Sequence, residues 1–213
     1  ILSGSGLATR ESGLVTGIQT SANRMSRMIA QILDFARIRA GMSFELEFTS
    51  ANVHQIGKAM VEELRMSRPD YPIELDVEGD GEIVCDADRI AQVVSNLVGN
   101  AIQYGTRAPV SVTIRDAEPD AVAIAIHNFG PPISERAKAT IFEPFRREDT
   151  SDARSMSVGL GLFIALEIVR AHGGSIDVRS PDRDGTTFIV ILPRKPVAHL
   201  QPGSAGAVPY PAH

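Results

Sequence analysis

The sequence predicts an α+β protein. Its main body interleaves strands with helices, and one long helix whose stripe suits a bundle of about four helices precedes it. Three observations carry this reading. Short runs of alternating apolar residues recur along the chain, as in Ile73-Leu75-Val77, Val110-Val112-Ile114 and Val122-Ile124-Ile126, and such runs read as half-buried strands. Segments of helical period are interleaved with them. Ahead of both, Leu14, Ile18, Ser21, Met25, Met28, Ile32 and Phe35 follow steps of four and three, with Val15, Ala22, Ile29 and Ala36 in a second row seven apart.

In chain order, residues 1–10 are small and glycine-rich and are expected to be a loop or frayed end. A helix is expected from about Ser12 to Ala40, ended by Gly41. Its two apolar rows are too wide for a two-helix seam, so this stripe needs partners from an upstream segment or a second chain. The rival placement folds the helix back on its own domain. Phe44, Leu46 and Phe48 alternate with Glu45 and Glu47 and predict a short strand. Asn52 is placed to cap a helix over 53–67, with Val53, Ile56, Met60 and Leu64 inward and Pro69 and Pro72 beyond its end. Residues 73–77 and 83–85 read as strands joined by a turn at Gly79–Gly81. Asp86 is the expected N-cap of a helix running to Tyr104, and Gly105 its C-cap. Two strands follow around Pro119-Asp120, then a short helix over 134–141 and a polar, arginine-rich loop over 146–157. A helix from Gly159 to Ala171 and strands at 176–179 and 186–192 complete the body. The organisation expected is a helical segment 1–41, a sandwich 42–194 and a disordered tail 195–213, where Pro196, Pro202, Pro209 and Pro211 fall among small residues.

Composition narrows the function. The chain of 213 residues is 43% hydrophobic and 22% charged, enough to bury a core. A net charge of -5 without a basic block argues against nucleic acid or anionic membrane as the main partner. One cysteine, Cys85, allows neither an internal disulfide nor a thiolate metal cluster. No apolar run approaches the roughly 20 residues that cross a bilayer. The start at Ile1 rather than Met marks an expected piece of a longer chain, placed in the cytoplasm, with room for a membrane anchor upstream.

Four stretches carry chemistry. In Asn96-Leu-Val-Gly-Asn100-Ala-Ile-Gln103-Tyr104 the two amides stand one above the other, and Tyr104 continues their row. Stacked amides suit a face turned to a hydrated divalent cation with phosphates, since a carboxamide oxygen is a hard ligand. They equally suit amides that cap a neighbouring loop, and the helix alone leaves both open. His127-Asn128-Phe129-Gly130-Pro131-Pro132 makes a stiff polar corner at a strand end, where an amide can read a base edge and Gly130 lets a ring approach. Ile141-Phe-Glu-Pro-Phe-Arg146-Arg147 is an apolar anchor leading into basic residues. Ser157-Val-Gly159-Leu160-Gly161-Leu162 opens a helix, where free N–H groups favour phosphate. It matches neither a P-loop nor a Rossmann fingerprint.

In this order, the four stretches resemble the catalytic ATP-binding domain of sensor histidine kinases, within the GHKL ATPase superfamily. The likeness covers about residues 44–193 and implies an α+β fold whose body is a two-layer α/β sandwich, a mixed sheet faced by helices. The helix ending Arg24-Met-Ser-Arg-Met-Ile-Ala-Gln-Ile-Leu-Asp-Phe-Ala-Arg-Ile-Arg-Ala-Gly41 resembles the second helix of the kinase dimerisation and phosphotransfer domain, so the resemblance implies a homodimeric four-helix bundle.

The resemblance also implies ATP and Mg2+ as cofactors. Asn100 would bind magnesium, Asn96 would line the phosphate site and Tyr104 would lie against the nucleotide. Arg147 would meet the terminal phosphate from a lid at 146–157, and Gly159, Leu160, Gly161 and Leu162 would form its hinge and phosphate-facing end. Asn128 and Gly130 would hold adenine. The γ-phosphoryl would pass to a histidine and then to an aspartate on a response-regulator receiver domain.

This chain departs from the family pattern at several places. Gln103 stands in the place of a phosphate-contacting lysine, Asn128 in that of the adenine-reading aspartate, and Pro132 and Ser157 in those of glycines. None of the five histidines, His54, His127, His172, His199 and His213, has the acceptor's context, so little autophosphorylation is expected. Two rivals remain: a GHKL serine kinase of the anti-sigma type, which lacks a bundle helix, and a degenerate nucleotide-binding or phosphotransfer scaffold without kinase activity.

Overall fold

The computed structural model describes residues 4–117, 120–146, 158–181 and 184–196. Its core lies between one face of a five-stranded sheet and a layer of three helices. The sheet contains β2 (Ile73–Glu78), β4 (Val110–Ala117), β5 (Ala121–Asn128), β7 (Thr186–Pro193) and β6 (Ser175–Arg179), hydrogen-bonded in the order β2-β4-β5-β7-β6. Only the β2–β4 pairing is parallel; the others are antiparallel. α2 (Val53–Ser67) packs on β2 and β4, α3 (Ala87–Tyr104) on β4 and β5, and α5 (Gly161–Ala171) on β6 and β7. This is the expected mixed sheet faced by helices.

The alternation that predicts the strands also decides which face is inside. Val110, Val112 and Ile114 of β4, Val122, Ile124 and Ile126 of β5, and Phe188, Val190 and Leu192 of β7 are buried. They meet Ile90, Val93, Val94, Leu97 and Val98 of α3 and Ile164 and Ile168 of α5. The predicted caps hold. Asn52 Oδ1 accepts from the N–H groups of His54 and Gln55 at 3.1 and 3.2 Å, and Asp86 Oδ1 accepts from that of Arg89 at 3.1 Å. Gly105 ends α3 in extended backbone rather than a left-handed turn.

Four local expectations need correction. The first helix, α1 (Gly4–Arg39), starts inside the segment expected to be a loop. Residues 44–48 form no ladder; β1 is Thr49–Asn52, paired with β3 (Glu82–Cys85) in a separate two-stranded sheet. The burial of Phe44, Leu46 and Phe48 does alternate, but side chains anchor it. The Arg89 guanidinium sits 4.8 Å over Phe44, Phe48 lies edge-on to His172, and the Glu47 N–H goes to Asp86. The runs 73–78 and 82–85 are not a hairpin, because the bend at Gly79 and Gly81, both at positive φ, sends them to different sheets. The helix expected over 134–141 shrinks to α4 (Glu135–Lys138).

On α1, Ile18, Met25, Ile29 and Ile32 of the two apolar rows are exposed, and so is Leu33 beside them. Phe35 differs. It turns toward the sandwich, edge-on to Phe145 and Phe163 with ring centres 4.9 and 5.7 Å away. The expectation that this residue faces a bundle partner is therefore wrong, and the rival placement holds for the C-terminal turns of α1. Residues 197–213, the greater part of the expected tail, lie outside the described residues.

Candidate functional site

α3 turns a broad apolar face to the sheet, which leaves Asn96 and Asn100 half-buried and Tyr104 exposed along one flank. Along the helix the three span about 12 Å at 1.5 Å per residue. At one end, Asn96 lies against the start of α5: a Cβ added at Gly161 would stand 3.5 Å from Asn96 Oδ1. That oxygen accepts a bond from Gln31 Nε2 of α1 at 3.3 Å, while Asn96 Nδ2 is buried with no partner. An orphaned buried donor costs about 1–3 kcal/mol, so the site favours an incoming acceptor. Leu160, the residue that opens α5, supplies no side-chain cap, so the N–H groups of its first turn begin the helix beside Asn96 without one from it. The Leu160 side chain is itself buried in the core, so only its backbone is available to a ligand. Asn100, one turn further along α3, is half-buried on the same flank.

At the other end, Thr106 N–H donates to the Phe129 carbonyl at 2.6 Å and ties the end of α3 to the end of β5. Asn128 sits there, 5% exposed, its Nδ2 reaching, among the described residues, only the Phe129 carbonyl at 3.5 Å. Glycines wall it in. A Cβ at Gly105 or at Gly130 would lie 3.3 Å from Asn128 Nδ2, and one at Gly130 would lie 2.8 Å from the Tyr104 carbonyl. Tyr104, Asn128 and Gly130 are thus brought together, with Gln103 exposed one residue before.

Two residues missed in the sequence join this corner. Thr186 is the cross-strand partner of Asn128, so both side chains share the sheet face that carries the core. The Thr186 and Ser180 hydroxyls bond each other at 2.8 Å, and Ser180 Oγ accepts from Ile133 N–H at 2.9 Å. The available signal was positional: the inward rows of β5 and β7 each end on a polar residue where an apolar one is due.

The Phe145 N–H donates to the Gly159 carbonyl at 3.0 Å, and both residues take positive φ, +62° and +75°. Gly159 fits because a Cβ there would press on the Phe145 and Arg146 backbone. Arg147 and Ser157 lie outside the described residues. Elsewhere, a recess of about 340 Å³ at the start of α3 is lined by Glu45, Glu47, Asp86 and Asp88 together with Arg89 and Gln92. Its carboxylates repel phosphate, so it is no rival for an anionic ligand.

The remaining titratable groups read as structural. His172 accepts the Asp86 N–H on Nε2 at 3.1 Å and so donates from Nδ1 to the Ile168 carbonyl at 2.8 Å. Burial holds its pKa below the usual imidazole value. Burial likewise pushes the Cys85 thiol up to about 11.

The strand order, the amide-bearing helix and the uncapped helix start beside it define a sandwich of the ATPase type. The chain belongs to the histidine kinase-, DNA gyrase B- and HSP90-like ATPase family, whose sequence pattern matches residues 85–196. Among relatives, it is 35% identical to the bacteriophytochrome of Pseudomonas aeruginosa over 199 residues, 92% of this chain and 27% of that protein. Among solved structures, the nucleotide-free catalytic domain of histidine kinase ThkA superposes with a TM-score of 0.60 at 30% identity, covering 70% of this chain and 97% of that one. Histidine kinase ThkA in complex with the response regulator protein TrrA gives 0.63 at 27% identity, over 86% of this chain and 51% of that one. The chain spans between a quarter and two fifths of the first curated relatives it matches (27% and 38%).

Proposed function

We propose that this chain is the ATP-binding core of a sensor histidine kinase, holding Mg-ATP along the row Asn96–Asn100–Tyr104. The base lies at the Asn128–Gly130 corner and the phosphates at the start of α5. The γ-phosphoryl passes to a histidine outside this chain and then to a response-regulator aspartate. The observation that carries the reading is the pairing of an orphaned buried amide, Asn96 Nδ2, with the uncapped N-terminus of α5. Both want an acceptor, and a phosphate oxygen supplies one.

Asn100 fits magnesium. Its carboxamide is a hard oxygen ligand, and magnesium keeps several waters and takes few protein ligands. Bound with the nucleotide, magnesium would neutralise phosphate charge. Arg147 is assigned to the terminal phosphate by resemblance alone. The exposed apolar residues of α1 support assembly through a homodimeric bundle, and the complex of ThkA with TrrA supports a response regulator as partner.

His127 bonds Thr187 Oγ1 at 2.9 Å and His172 is buried, so neither resembles an acceptor. The isolated chain should bind ATP with little autophosphorylation. Calorimetric titration of Mg-ATP tests the site. Asn100→Ala should weaken binding by about tenfold or more, the loss of one charge-assisted contact. Unchanged affinity in that variant sinks the assignment.

A further inference from the structure

The corner where β5 and β7 end is built from groups that reverse their hydrogen-bonding sense. Asn128 is 5% exposed, and its one bond among the described residues, 3.5 Å to the Phe129 carbonyl, is at the limit of a hydrogen bond. Turning the carboxamide over exchanges donor for acceptor at no steric cost, because Gly105 and Gly130 present no side chain to it. Thr186, directly across the ladder, is 4% exposed and shares one bond with Ser180 in which either hydroxyl can donate. Ser180 also accepts the Ile133 N–H, so reversing the pair leaves that bond intact. None of these three side chains carries a charge that would fix the corner as acceptor only.

We propose that this corner accepts purine nucleoside triphosphates of either polarity at the base's sixth position, 6-amino and 6-oxo alike. The proposal rests on the nucleotide-site reading above and adds the ligand class to it. Adenine offers an amine donor beside a bare ring nitrogen; hypoxanthine offers a carbonyl acceptor beside a ring N–H. One orientation of the Asn128 amide complements the first, and the flipped orientation complements the second. A carboxylate in this place would accept from the amine but face the carbonyl with a like partial charge.

The test titrates the 213-residue chain with ATP and with inosine triphosphate, both with magnesium, by calorimetry. Inosine triphosphate differs from ATP only at the reversed pair of groups. The expected dissociation constants agree within about tenfold, less than one mispaired buried group costs. In Asn128→Asp, shown to be folded by circular dichroism, the inosine nucleotide should fall a further tenfold or so behind ATP. Tight ATP binding with inosine triphosphate more than about tenfold weaker overturns the proposal and leaves the nucleotide site standing. An unchanged ratio in folded Asn128→Asp also overturns it. If that variant does not fold, the comparison in the parent chain decides alone. If neither nucleotide binds, the nucleotide-site reading falls and this proposal with it.

Discussion

Removing the Asp34 carboxylate should detach the C-terminal half of α1 from the sandwich. Asp34 is 6% exposed and accepts from Arg89 Nη1 at 3.1 and 3.2 Å and from Gln92 Nε2 at 2.9 Å, while Arg89 also donates to Gln92 Oε1. The gross attraction at that separation is roughly 5 kcal/mol at an effective dielectric near 20. Desolvating the carboxylate offsets much of it, and the Arg89 side chain keeps 25% of its surface in water. The net coupling should be about 2 kcal/mol, above the roughly 0.2–1 kcal/mol of exposed pairs. A double-mutant cycle of Asp34→Ala and Arg89→Ala, read by urea unfolding at one protein concentration, measures it. The cycle cancels the contact between Arg89 and Phe44, which Arg89→Ala alone would also remove. A fixed concentration is needed because assembly through α1 would itself stabilise the chain. A coupling under about 0.5 kcal/mol would show that α1 only rests on α3 and that the ion pair is a surface contact.

Three further outcomes are expected. His172 is held neutral, so its folded pKa lies below its unfolded value and the unfolded chain binds the extra proton first. Its contribution to stability is therefore full above about pH 6.5 and is lost as pH falls from there through the lower folded pKa. Urea midpoints at pH 7 and pH 5 should show that loss in the parent and a flatter slope in His172→Gln. Asn52→Ala removes the cap of α2 and the bonds from Asn52 Nδ2 to the Asp80 carbonyl and Glu82, and should cost about 1–2 kcal/mol in the same assay. Cys85, buried and with its pKa raised to about 11, should resist a thiol reagent at pH 8 until denaturant is added; prompt labelling of the native chain would contradict its placement.

What could be read in the sequence was what neighbours in the chain decide. The caps at Asn52 and Asp86, the apolar face of α3 and the period-two strands rest on interactions a few residues apart, and they appear as expected. The run at 44–48 failed because alternation reports burial and not what does the burying; there the partners are Arg89 and His172, far along the chain. The partition of 73–78 and 82–85 between two sheets failed for a related reason, since β1 and β4 compete for those strands and no local signal ranks them. At the candidate site, Asn96, Asn100 and Asn128 were legible as misplaced amides. Thr186 and Ser180 were not, because they gain meaning only from the register that sets Thr186 opposite Asn128. Phe35 looked like one more turn of a bundle stripe until α1 was seen against α5.

The bond between Phe145 and Gly159 has a consequence for how the chain tolerates change. It draws the exit at Arg146 and the return at Val158 together at one narrow mouth, braced from below by the Phe35 ring. Whatever is spliced into positions 147–157 therefore leaves the register of the sandwich alone, and even a doubling of length would add only about 0.6 kcal/mol of closure entropy. The body beneath keeps its shape whatever the length of chain between those two ends.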